Sequence, residues 1–148
     1  GILLLSPLPD VTTPVTIDGY TQAGSAANTI NPGFNAQVCV GLTQVGTLSH
    51  ALRAEAGSRL TVRGLWFGNF DAAGAVPVRF DGGSGHVLEG SQFAGTLPNG
   101  SALSPNRVPV RIGAVGGARI GGPATGQRNW ISGALAQGIA IVNAGIAS

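Results

Sequence analysis

Val76, Val78 and Phe80 alternate with Pro77 and Arg79, and the same rhythm returns at 108–112 (VPVRI) and 139–143 (IAIVN). Period-two alternation predicts short strands whose first, third and fifth positions face inward, with Pro77 and Arg79 outward. A proline inside a central ladder would remove a hydrogen bond, so Pro77 and Pro109 are expected to mark strand entry. Turn-forming stretches follow (DGGSG, GAVGG), and then a second set of strands, LTVRG, HVLEG and ARIGG. These place Val62, Leu88 and Ile120 in one inward stack, joined by Ile17 of VTIDG. A third set carries Phe67, Phe93 and Ile131 inward. No segment shows a sustained helical stripe.

The strands recur in aligned blocks. Residues 53–64 (RAEAGSRLTVRG), 79–90 (RFDGGSGHVLEG) and 111–122 (RIGAVGGARIGG) match without a gap, at offsets of 26 and 32 residues. Each block is too small to bury a core alone, so stacked coils with loops of differing length are implied. Three short strands per turn describe an all-β solenoid, a three-sheeted parallel β-helix of about four to six coils. A β-sandwich has no reason to repeat a residue type at one slot of successive units, and a hexapeptide helix requires a stricter period.

Composition sharpens this picture. Among 148 residues there are 25 glycines and 9 prolines, with 9% charged and 43% hydrophobic residues. Disordered chains show the opposite balance of charge and apolar residues. The net charge is +2 and the arginines are scattered from 53 to 128, so no basic track exists for nucleic acid. Cys39 has no intrachain partner, and its apolar VCVGL setting predicts a buried, inert thiol. The run Ile2–Leu5 is too short for a signal core or membrane span, so no direct membrane insertion is expected. The lack of methionine and of polar capping repeats leads us to expect a single segment, 1–148, excised from a longer repeat protein.

The stretches PVTIDGYTQAG (14–24), LTVRGLWFGNF (60–70) and ARIGGPATGQRNWISG (118–133) resemble right-handed parallel β-helix segments of large secreted and surface-anchored bacterial repeat proteins. The resemblance implies a pectin-lyase-like fold, export, and often no assigned catalysis. Such chains often carry asparagine after the ISG turn, where this one has Ala134. A continuous asparagine ladder is not expected at that corner.

Stacking the coils groups the outward residues into columns. Asp18, Arg63 and Glu89 share a slot and read as a charge ladder rather than an acid and base pair, although the coil holding Val38–Leu42 is expected between Asp18 and Arg63. Arg53, Arg79 and Arg111 form a second column. The first two have Glu55 and Asp81 two residues on, but Arg111 has Gly113. Arg111, with Arg107 or Arg128, is therefore a candidate for a sugar carboxylate or sulfate, the alternative being a solvated arginine. Trp66, Gln92 and Trp130 form a third column, with the indoles roughly 10 Å apart across two coils of about 4.8 Å each. Flat indole faces suit sugar stacking; the alternative is that the loop Thr96–Arg107 covers them. His50 and His86 lack metal-ligand spacing and are expected at the surface or at strand ends. Neither a metal, a cofactor nor a catalytic residue is assigned.

A structural or adhesive rod segment of an exported bacterial surface protein is the function expected first, secreted or at the cell surface. Its partners would be extracellular polysaccharide or host or cell-surface glycan, bound through Trp66, Gln92, Trp130 and Arg111. The alternatives are part of a polysaccharide lyase or glycoside hydrolase of pectin-lyase-like fold, and a module that associates end to end through open strand edges.

Overall fold

The computed structural model describes residues 1–94 and 105–142. Sheet A contains β1 (Ile2–Leu4), β3 (Val40–Gln44), β6 (Leu65–Gly68), β9 (Gln92–Ala94) and β12 (Trp130–Ser132), in that spatial order. Sheet B contains β4 (Leu52–Ala54), β7 (Val78–Phe80), β10 (Val110–Ile112) and β13 (Ile139–Ile141). Sheet C contains β2 (Pro14–Asp18), β5 (Arg59–Arg63), β8 (Ser84–Glu89) and β11 (Gly116–Ile120). Every strand pair is parallel. The chain passes from A to B to C and back to A in each coil, a three-sheeted right-handed parallel β-helix. In the first coil, residues 8–11 take the sheet B position, where Val11 bridges Ala54.

Parallel register places one slot of each repeat on the same slot of the next, so the inward columns are continuous. Sheet C stacks Ile17, Val62, Leu88 and Ile120; sheet A stacks Leu42, Phe67, Phe93 and Ile131. Sheet B stacks Leu52, Val78, Val110 and Ile139, with Ala54, Phe80, Ile112 and Ile141 beside them. The middle coils are dry, with Val62, Phe67, Phe80, Leu88 and Phe93 fully buried. Phe67 and Phe93 stack with ring centroids 4.8 Å apart and planes 8° from parallel. Burial fades toward both ends, where Ile2, Leu3 and Ile141 are exposed.

Pro77 and Pro109 each stand immediately before a sheet B strand, as their missing donors require. Pro77 is nevertheless buried rather than outward, and its carbonyl accepts the N–H groups of Ala51 and Leu52. Where the chain turns from C to A, Gly64 and Gly90 adopt φ of 66° and 58°, conformations that favour glycine. The Tyr20 ring lies against both glycines and its hydroxyl donates to the Gly90 carbonyl. Burial, followed by the negative charge of Asp18, pushes the Tyr20 phenol up to about 12.

Polar side chains, two of them buried, close the turn from A to B. Gln44 Nε2 donates to the Asn69 carbonyl (2.7 Å) and Asn69 Nδ2 donates to the Gln44 carbonyl (2.9 Å). Asn106, 1% exposed, donates to the Phe67 carbonyl (2.8 Å) and accepts from the Phe70 N–H (3.3 Å). This ladder is built from a glutamine at the end of β3 and asparagines of two different loops, and beyond it Leu135 N donates to the Asn106 carbonyl. Both histidines are buried rather than superficial. His86 occupies an inward slot between Leu60 and Ala118, stacks on Phe80 (4.7 Å, 7°), accepts from Leu60 N at Nδ1 (3.0 Å) and donates from Nε2 to the Gly82 carbonyl (2.8 Å).

Candidate functional site

Three outer faces carry the polar and aromatic side chains. On sheet A, Trp66, Gln92 and Trp130 are direct register partners, the column expected from the repeats. The Trp66 indole lies across Gly41 of β3: a Cβ there would fall 1.7 Å from indole Cε2. Only glycine at 41 lets this ring lie flat. The Trp130 indole is held by an Nε1–H bond to Ser132 Oγ (3.1 Å) and meets Phe34 with centroids 5.6 Å apart.

Phe34 belongs to a long connection, residues 22–39, that joins the 3-10 turn Gly19–Thr21 to β3 and straps the outside of sheet A. An antiparallel bridge between Ala26 and Gln37 closes its neck. Asn28, 2% exposed, organises its tip by accepting from Asn35 N (2.8 Å) and donating to the carbonyls of Ile30 and Thr125 (3.1 Å each). Gln92 Nε2 donates to the Ala36 carbonyl (3.4 Å), and Gln92 itself is 4% exposed. The strap therefore closes the middle of the tryptophan column and leaves both indoles part-exposed at its borders. The expected cover, Thr96–Arg107, lies largely outside the described residues. Cys39, at the base of the strap, is exposed rather than buried. Strand alternation explains this, because Val40 and Leu42 face inward and Cys39 takes the opposite face.

On sheet B, Arg53, Arg79 and Arg111 are in register, but each has an acidic partner. Arg53 pairs with Asp10 and with Glu55 (2.9 Å), and Arg79 pairs with Asp81 (2.7 Å). Arg111, expected to lack one, lies 3.6 Å from Asp81. The partner comes from the coil before, so spacing along its own strand could not reveal it. Arg111 is thus on a different face from the tryptophans, and the structure does not bring the four candidates together.

His50 sits behind this ladder, its side chain 8% exposed, with Nδ1 at 2.8 Å from Ser49 Oγ and Nε2 at 3.6 Å from Asp10. Burial, reinforced by Arg53 and Arg79, holds its pKa below the ordinary histidine value. The Arg53 guanidinium holds the Asp10 carboxyl below its usual range. An unfolded histidine takes up a proton near pH 6.5. Because the folded pKa is lower, the unfolded state binds more protons below that point, and the contribution to stability is lost as pH falls. Urea unfolding between pH 7 and 5 should show stability falling with pH, and His50→Gln should flatten that slope. An unchanged slope in the variant would exclude His50 as its source.

On sheet C, Asp18 pairs directly with Arg63 (2.6 Å), with no coil between them. Val38–Leu42 runs instead along sheet A, since each coil gives one strand to each sheet. Hydrogen bonding from Arg63 lowers the Asp18 pKa. Glu89 is the next residue in this column and pairs with Arg119 (2.8 Å). The two carboxylates of this column, Asp18 and Glu89, are thus spent on ion pairs across the sheet.

No family model, curated protein or solved structure matches this chain. The faces themselves therefore carry the chemistry: an aromatic column under a strap on A, an ion-pair ladder with a buried histidine on B, and a second ladder on C.

Proposed function

We propose that the chain is a coil stack of the pectin-lyase-like kind from an exported bacterial surface protein, serving as a stiff adhesive rod segment that binds glycans along sheet A. The supporting observation is the continuity of all three ladders through the described coils, which makes one unbroken stack. Trp66 and Trp130 are part-exposed indoles in one column and supply the apolar faces that sugars stack on.

Antibody raised against the coil stack should label intact producing cells, and the isolated chain should bind glycans on an array in a manner weakened by Trp130→Ala or Trp66→Ala. Labelling confined to permeabilised cells would exclude the surface role. Array binding indifferent to both substitutions would remove sheet A as the contact face.

A further inference from the structure

The outer face of sheet C holds an arginine unlike the other strand arginines among the described residues. Among the arginines on strands, Arg53, Arg63, Arg79, Arg111 and Arg119 each lie against a carboxylate, whereas Arg59 pairs with none among the described residues. Arg59 is exposed at the start of β5, in register with Pro14 of β2, and Thr16 and Thr61 are in register beside them. Pro14, Val15, Thr16, Arg59 and Thr61 line a depression of about 310 Å³. Within the described residues neither threonine side chain is engaged in a hydrogen bond, and both belong to the face that Arg59 shares.

The next coils keep this face low. The Arg59 stem passes over Gly85, where a Cβ would lie 3.6 Å from Nε, and Gly117 one coil further on has nothing within 4 Å of its would-be Cβ. A shelf of bare backbone thus runs along the axis beside one unneutralised guanidinium. Arg63 and Arg119 add little positive field, because Asp18 and Glu89 neutralise them. A single free cation on this face, among the described residues, is a poor match for a nucleic-acid backbone, which rewards many. It is a good match for a single carboxylate or sulfate, which a guanidinium binds with two parallel hydrogen bonds. The hydroxyls of Thr16 and Thr61 can donate and accept, as ring hydroxyls require, and the Pro14 ring, on the same face, offers an apolar patch for a sugar's C–H face.

We propose that this depression is a subsite for an anionic saccharide, with the sugar carboxylate or sulfate on Arg59 and ring hydroxyls on Thr16 and Thr61. It rests on the reading of the chain as a glycan-binding rod, but it assigns the acidic sugar to sheet C, away from the tryptophans and from Arg111.

The test is calorimetric titration of the chain with a uronic acid oligomer, a sulfated oligosaccharide, a neutral oligosaccharide of equal length and inorganic sulfate. Arg59→Gln should weaken binding of an acidic oligomer by about ten- to hundredfold, with Arg59→Lys intermediate and Trp130→Ala without effect on that term. Thr61→Val should weaken it less and leave the fold intact by circular dichroism. Acidic-oligomer binding unchanged in Arg59→Gln overturns the subsite while leaving the rod reading standing. Inorganic sulfate competing as well as the oligomer overturns the saccharide assignment, and absence of any acidic-oligomer binding overturns the proposal outright. Neutral-oligomer binding that is lost in Trp130→Ala but unaffected by Arg59→Gln supports two separate faces.

Discussion

Phe67→Ala is expected to lower the unfolding free energy by about 3–5 kcal/mol, the range for deleting a large aromatic from a dry core. Phe67 is fully buried, lies in register with Leu42 and Phe93, and stacks face to face on Phe93. Removing the ring takes away that stack and leaves a void on the axis of the middle coils, where chain on all sides is held by ladders and collapses poorly. For a chain of this size the loss corresponds to a melting shift of about 6–20 °C. Phe67→Leu keeps most of the volume and should cost under about 1.5 kcal/mol. Thermal and urea unfolding check both. A loss below about 1 kcal/mol in the alanine variant would mean that the phenylalanine column does not form.

Gly64→Ala should cost about 2–5 kcal/mol by two additive routes. At φ of 66° an L-residue pays about 1–2 kcal/mol. The new Cβ would also stand 2.8 Å from Cγ, Cδ2 and the backbone nitrogen of Tyr20, and such overpacking costs about 1–3 kcal/mol. Displacing Tyr20 breaks its hydroxyl bond to the Gly90 carbonyl, so the strain spreads one coil further. Gly46→Ala separates the two routes, since Gly46 has φ of 79° but nothing within 4 Å of its would-be Cβ. That variant should lose only the conformational part. Equal losses at 46 and 64 would show that Tyr20 does not pack on the corner.

Much of this architecture is written in the repeats, because parallel stacking turns a recurring slot into a physical column. Ile17, Val62, Leu88 and Ile120 align in sequence and touch in space for that single reason. The tryptophan column and the arginine column follow in the same way. His86 was within reach of the same logic: it aligns with Leu60, an inward slot, yet its polarity suggests the surface until Leu60 N and the Gly82 carbonyl satisfy it. Cys39 was likewise readable from strand alternation, and its apolar neighbours mislead.

The strap had no such signal. Residues 22–39 carry no period, and their destination depends on Asn28 meeting Thr125, 97 positions away. Loops leave the repeat, so their docking is a matter of tertiary fit. For the same reason the Arg111–Asp81 contact and the polar set of Gln44, Asn69 and Asn106 emerge only in three dimensions.

Stacking in one register underlies every claim made for the three faces, and paired cysteines test it directly. In a Cys39→Ser background, Thr61→Cys with Val87→Cys joins outward register partners of β5 and β8, and Val87→Cys with Arg119→Cys joins those of β8 and β11. Neighbouring parallel strands lie about 4.8 Å apart, inside the Cα range of roughly 4.4–6.8 Å that a disulfide spans. Thr61→Cys with Arg119→Cys spans two coils, about 10 Å, and should not close. Oxidation yielding the first two crosslinks and not the third is the predicted result. Failure of the 61–87 crosslink, or efficient closure between 61 and 119, would contradict the coil stack.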